Sequence, residues 1–297
     1  MYELIKINSN DYYIDSPSKS GIVKISDSEV VLIDTGNNKG AAKKIKKAID
    51  AEGWTLFAIY LTHSHADHIG GAKFLSEAYG CKVYAKGIER DFTEHTELEG
   101  AFLYGALAPS ELRSKFLLAD PCDTEKLTES NIHPSLTMVE LPGHSFDMVG
   151  FITKDKTFYV ADALSSEQTL DKYKVGYLYD VGKYIETLDM LTKADSKAFV
   201  PAHAPVCEDI APLAEYNKST TLEICEKITD ICSEPLCFEE ILKRVFDTYG
   251  LTMSFEQYAL VGSAIRSYLT YLKENGKIEA KIENNTLLWK KIRGEML

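Results

Sequence analysis

Residues 62–71 read THSHADHIGG, three histidines and an aspartate within six positions, in a chain of 297 residues that has only seven histidines. The apolar run LFAIYL at 56–61 leads directly into it. A strand that ends in a tight polar loop can turn alternate side chains into one cavity. Imidazole and carboxylate groups are ordinary ligands for zinc, iron or manganese. The competing reading is a polar loop that happens to be rich in histidine. His63, His65, Asp67 and His68 supply only part of a coordination shell, so a metal site needs further ligands from other strand ends.

Such candidates exist. LPGHS places His144 after a strand and a Pro-Gly turn, FYVADAL places Asp162 at the end of an apolar strand, and FVPAHAP places His203 in the same way. Five of the seven histidines thus occupy loops at strand ends, while His95 and His133 have no such context. Taken singly, each histidine also fits a surface polar group or a satisfied core group. Asp162 alone fits a turn residue, and so does Asp34 in LIDTG. Taken together, the shared context points to one metal site.

Around this nucleus the rest of the chain reads as a layered α/β protein. Strand character marks residues 2–7, 12–14, 21–26 and 30–34, with Asp27-Ser28 as a hairpin turn. Apolar spacing near 3.6 predicts a helix over 41–52, and a second helix over 72–79 stops at Gly80. Strands follow at 82–85, 136–140, 149–153, 157–161 and 198–201, with a helix over 184–193. Residues 89–128 read as a mainly helical or irregular insertion over the site. After residue 212 the character changes to three helices, over 213–233, 237–249 and 254–275, closed by a hairpin about Asn284-Asn285. The expected division is therefore a catalytic domain over 1–212 and a winged-helix-like domain over 213–297.

Composition narrows the function. Apolar content of 45% and charged content of 26% fit a globular protein. A net charge of −12 argues against a partner held mainly through many phosphate contacts. The start MYELIKINSNDYYI lacks the basic and apolar segments of a secretion signal, and no stretch approaches eighteen uncharged apolar residues, so a cytoplasmic protein without a membrane span is expected. Six cysteines without a C-x-x-C pair fit that setting better than a disulfide scaffold.

THSHADHIGG resembles the H-x-H-x-D-H signature of the metallo-β-lactamase superfamily, and Asp34, His144, Asp162 and His203 match its remaining motifs in order. The resemblance implies an αββα sandwich over about residues 1–210. It implies His63, His65 and His144 around one metal ion, Asp67, His68 and His203 around a second, and Asp162 bridging them. Asp34 is then a hydrogen-bonding support behind the ligands, and Gly70 and Gly71 let the chain turn close to the site. Two divalent ions, zinc foremost with iron or manganese as alternatives, can share a hydroxide at a separation of ~3.5–4 Å. Asp67 and Asp162 are the expected catalytic residues that position it.

The family's branches differ at this chain's positions. Family β-lactamases generally lack an acidic residue where Asp162 stands, and flavodiiron proteins usually have glutamate where His65 stands. Lactone hydrolases of the family tend to place a tyrosine just beyond the bridging aspartate, whereas this chain reads ADALSSEQ. Enzymes of the glyoxalase II type share the ligands but end in a mainly helical region that helps hold glutathione.

The expected reaction is hydrolysis of a small-molecule acyl thioester or ester. Phe92, Phe102, Tyr104 and Phe116 of the insertion, with Tyr173, Tyr177 and Tyr179, are candidates to line its pocket. The same spacings also suit the core face of a helix. One alternative is a phosphodiesterase or nuclease that holds nucleic acid with its C-terminal domain. Its helix offers Arg266 and Lys273 against Glu256 and Glu274, and its hairpin offers Lys277, Lys281, Lys290, Lys291 and Arg293, a modest patch that is not favoured as a nucleic-acid contact. A non-enzymatic metal- or nucleic-acid-binding regulator is the third reading. The C-terminal domain also suits a wall of the site or a homodimer contact.

Overall fold

The computed structural model describes residues 2–114 and 117–292, so Phe116 and Arg293 lie outside the described residues. The first sheet begins as an antiparallel meander of β1 (Glu3–Lys6), β2 (Asp11–Asp15), β3 (Ser20–Lys24) and β4 (Glu29–Ile33). β5 (Thr55–Tyr60), β6 (Lys82–Ala85) and the short β7 (Glu125–Lys126) then add in parallel, giving seven strands in chain order. Parallel addition needs crossovers, and helices α1 (Lys39–Ala51), α2 (Ala66–Ile69) and α3 (Ala72–Tyr79) supply them. So do α4 (Gly87–Glu94) and α5 (Glu97–Tyr104). The stretch 89–128, read as helical or irregular, thus also contributes β7.

The second sheet has the order β11-β10-β9-β8, formed by β8 (Leu136–Glu140), β9 (Val149–Thr153), β10 (Thr157–Ala161) and β11 (Ala198–Pro201). Between β10 and β11 the chain makes α6 (Glu167–Tyr173), which periodicity did not reveal, and α7 (Val181–Leu191).

Alternation along the strands builds the layers. In β4, Val30 and Leu32 face Ile45 and Ile49 of α1, while Val31 and Ile33 face Val149, Phe151 and Tyr159 of the second sheet. The outer face of that sheet, Phe158, Val160 and Phe199, packs against Leu188 of α7. The result is a helix–sheet–sheet–helix sandwich. Asn38 caps α1 by accepting from the backbone N–H groups of Gly40 and Ala41 at 2.7 and 3.0 Å, which fixes where the chain leaves β4 and becomes helical.

The C-terminal part is a helical module closed by a hairpin: α8 (Ala211–Ile231), α9 (Phe238–Tyr249), α10 (Phe255–Glu274), β12 (Ile278–Glu283) and β13 (Thr286–Lys291). Ser254 and Gln257 form a reciprocal capping box at the start of α10. Asn284 and Asn285, at φ 48° and 62°, make the hairpin turn, because asparagine tolerates the left-handed region. Ile224 and Ile228 of α8 and Tyr268 and Leu269 of α10 belong to the same apolar cluster as Leu188 and Phe199, so the module continues the core of the second sheet. All six cysteines are free. Among the described residues no helix is long and apolar enough to cross a membrane.

Candidate metal centre

The ends of β4, β5, β10 and β11 and the β8–β9 connection meet at one edge of the sandwich. Backbone bonds fix that edge. Val149 N–H donates to Thr62 O across the two sheets at 3.0 Å, and Thr35 N–H donates to His68 O at 2.7 Å. At Gly71 an added Cβ would press on the Thr35 carbonyl and lie 2.7 Å from Ala42, so only glycine lets the motif loop return this closely to the β4 end. Gly143, at φ 123°, similarly abuts the backbone of Tyr184, which sets the entry of His144.

Seven ligand-type side chains converge there. Three overlapping groups, His63–His65–His144, His63–His68–Asp162 and Asp67–His68–His203, each hold their donor atoms within 4.8 Å of one another. His65 Nδ1 lies 3.1 Å from His63 Nε2 and 3.0 Å from His144 Nε2. His203 Nε2 lies 3.0 Å from Asp67 Oδ2, and Asp162 reaches both sides, with Oδ2 3.5 Å from His144 Nε2 and 3.4 Å from His203 Nε2.

The outward ring nitrogens show which atoms are left to face inward. His68 Nδ1 donates to Asp34 Oδ2 at 2.8 Å, and His203 Nδ1 donates to the Pro17 carbonyl at 2.7 Å. Thr62 gives its hydroxyl proton to Asp34 at 2.8 Å, so its oxygen accepts from His63 Nδ1 at 3.0 Å. Each of these three rings therefore aims Nε2 at the cluster, an arrangement typical of metal-ligating histidines. Asp34 also accepts the Thr62 N–H at 2.8 Å and holds φ 59° while doing so.

The electrostatics divide the cluster in two. Burial pushes His63 well below its ordinary value and His144 down to about 3, with the neighbouring histidines adding to the effect, so both rings are neutral donors. Burial also opposes charge on His68, but Asp162, Asp67 and Asp34 outweigh it and hold that ring well above its ordinary value. Asp162 likewise holds His203 up at about 10 against burial. Burial would raise the Asp162 carboxyl, yet His203 and His68 keep it well below the usual carboxylate range. Protons on His68 and His203 thus balance the carboxylates of Asp67 and Asp162, a role that dications would take over as they displaced those protons.

The donor set fits divalent metal. Ring nitrogens about 3 Å apart suit ligands that each stand ~2.0–2.1 Å from a shared ion. Asp162 Oδ1 is buried without a hydrogen-bond donor, its 3.3 Å approach to His68 Nε2 lacking hydrogen-bond geometry.

Sequence reasoning missed Glu89. It lies in α4, is 1% exposed, and accepts four hydrogen bonds. One carboxylate oxygen takes Ser64 N–H and Oγ at 2.9 and 2.6 Å, and the other takes Ser145 Oγ and Asp147 N–H at 2.6 and 3.0 Å. Ser64 separates His63 from His65, and Ser145 follows His144, so one carboxylate ties two donor-bearing loops together.

Besides a cleft of about 40 Å³ at Asp67 and His203, two cavities open on the cluster. The larger, about 590 Å³, runs from His144 and Asp162 between α6, α8 and α10, and the smaller, about 150 Å³, covers His65 and Asp67. Tyr177 lines both and stands 5.4 and 5.8 Å, ring to ring, from His65 and His144. Tyr173 lines the larger cavity at its solvent end. Phe92 and Phe102 instead pack with Phe146, and Phe102 reaches Tyr179, while Tyr104 meets Phe255 of α10. None of Phe92, Phe102 and Tyr104 lines either cavity. The faces of α4 and α5 that carry them turn towards neighbouring aromatic rings.

A family model described as the metallo-beta-lactamase superfamily matches residues 14–203. The chain belongs to that superfamily. It is a metallo-hydrolase by fold, family and donor set. The probable metallo-hydrolase YqgX of Bacillus subtilis is 32% identical over 192 residues, which are 63% of this chain and 82% of that protein. A hydroxyacylglutathione hydrolase of Bradyrhizobium sp. is 31% identical over 126 residues, 42% of this chain and only 40% of that relative's length. A beta-lactamase domain protein from Burkholderia ambifaria superposes with a TM-score of 0.75 at 14% identity, over 98% of this chain and 94% of its own. That superposition shows a shared fold and takes in the winged-helix-like end.

Proposed function

We propose that this metallo-hydrolase holds two divalent ions, zinc foremost, and hydrolyses a small acyl thioester or ester. The carrying observation is the placement of Asp162 between two donor sets, His63–His65–His144 and Asp67–His68–His203. When bound, paired divalent ions supply Lewis acidity and lower the pKa of water. The chain's own contribution is to fix the donors. Asp34, Thr62 and the Pro17 carbonyl set ring tautomers, Asp67 and Asp162 position the attacking water, and Glu89 holds the loops in register. Water adds across the acyl C–S or C–O bond to give a carboxylic acid and a thiol or alcohol.

Acyl substrates are favoured over phosphodiesters because, among the described residues, four of the C-terminal cations weighed as a nucleic-acid contact are engaged by neighbours. Arg266 lies over the Phe238 ring at 3.7 Å, Lys273 pairs with Glu274, Lys281 with Glu279, and Lys291 with Asp230. Similarity to hydroxyacylglutathione hydrolases points the same way. In this reading residues 1–212 form the catalytic domain and 213–297 wall the site. Six free thiols suit a cytoplasmic setting.

The test compares kcat/KM of the metal-reconstituted protein on acyl thioesters and on an activated phosphodiester, with His65→Ala as the control. Dominant thioester turnover that the variant loses supports the proposal, and dominant phosphodiester turnover overturns it.

A further inference from the structure

The two cavities differ in kind. The larger penetrates the core: Tyr184 and Tyr268, respectively 5% and 1% exposed, line it together with Ile224, Phe246 and Val261. Its inner end is His144 and Asp162, and its outer end is the exposed pair Lys172 and Tyr173. The smaller carries Glu99, a carboxyl 9% exposed with no hydrogen-bond or ion-pair partner among the described residues. An alkyl chain placed there would bury that carboxyl without a partner, which is costly. His144, Tyr177 and Leu260 line both, so the cavities are two lobes meeting at the donor cluster.

We propose that the larger lobe receives the apolar acyl chain of the substrate, placing the scissile carbonyl at the His144–Asp162 end and the polar leaving group towards Glu99 and Tyr177. This rests on the acyl-hydrolase reading and specifies its substrate as a medium-chain acyl compound. A methylene fills about the ~30 Å³ share of a water molecule, so a chain on the order of ten carbons takes roughly half of a cavity this size and leaves room for the carbonyl. The C-terminal module is then part of the specificity pocket, since Ile224, Phe246, Val261 and Tyr268 all come from its helices.

The experiment uses N-acetylcysteamine thioesters from acetyl to dodecanoyl with the metal-reconstituted full chain, and displacement of a fluorescent fatty acid by decanoate or butyrate as a readout independent of turnover. The expected result is a rise in kcat/KM of about three- to fourfold per added methylene, levelling off near ten carbons, with decanoate the stronger competitor. Leu170→Trp on α6 and Val261→Trp on α10 each fill the lobe from a different element. Each should lower the decanoyl-to-butyryl ratio of kcat/KM by more than tenfold. Circular dichroism selects whichever variant folds. Thioester turnover with a flat chain-length profile overturns the chain assignment and leaves the hydrolase reading standing. Decanoate displacement that both tryptophans abolish, without turnover of any thioester, overturns the reaction and upholds the lobe as an apolar-chain site. Neither displacement nor turnover overturns both.

Discussion

The Glu89 carboxylate receives both the backbone N–H and the hydroxyl of Ser64, the residue that separates His63 from His65. Its second oxygen holds the loop after His144, so the three histidines nearest one another share a buried strut. Glu89→Gln turns one acceptor into a donor that faces existing donors. The expected loss is about 10–100-fold in metal affinity, the range for supports behind ligands. Titration calorimetry of zinc binding to the folded variant checks it, and an unchanged affinity would remove Glu89 from that role.

Asp34 joins three partners while its backbone sits at φ 59°. Asp34→Asn keeps a residue type that tolerates this conformation, but the amide cannot accept from Thr62 N–H, Thr62 Oγ and His68 Nδ1 together. The cost should be about 1–3 kcal/mol for the unsatisfied buried group, read by urea denaturation. Asp34→Ala should cost more, because it adds strain at positive φ to the loss of all three bonds.

Gly143→Ala tests backbone geometry without touching a donor. A Cβ there meets the Tyr184 backbone, and φ 123° is foreign to alanine. The loop must shift, carrying His144 with it. We expect a folded protein with reduced metal content per chain by atomic emission, and kcat/KM down at least tenfold. Wild-type metal content would show that the loop relaxes locally.

Glu94 offers a pH signature away from the donor cluster. Hydrogen bonds from the Thr124 hydroxyl and N–H, aided by Arg90, outweigh partial burial and hold its carboxyl below the ordinary 4.5. A depressed carboxylate stabilises the fold fully above its unfolded pKa, and that contribution is lost as pH falls through the folded value. Glu94→Gln should therefore lower Tm by roughly 1–4 °C at pH 7, and the gap should narrow towards zero near pH 3. A gap independent of pH would refute the linkage.

Most of the candidate donors stood out in the sequence because they follow an apolar strand, where a break in apolar character marks the chain's exit from the core, whereas His144 follows the part-exposed β8 and a Pro-Gly turn. Glu89 did not stand out, because its partners stand 25 to 58 positions away and no motif surrounds it. One signal was available: with Phe92 and Thr93 it forms the buried face of α4, so a carboxylate occupies an apolar stripe. Tyr177, one of the aromatics singled out after Asp162, reaches the cluster from beyond α6. The aromatics of α4 and α5 show the limit of composition, since ring-rich helices near a site can as readily pack on one another as on a ligand. The left-handed Ala161, φ 49°, and the register shift of β10 against β11 just before Asp162 have no sequence mark either.

The bond from Val149 N–H to Thr62 O, like those from Thr35 to His68 O and from Ala202 to Ala161 O, belongs to the main chain. Side-chain replacement cannot delete such a bond. Only proline at the donor position can. The floor under the donors therefore does not depend on the identity of the side chains beside it, provided the core still packs and the glycines stay, and the two sheets remain fastened at that seam by main chain alone.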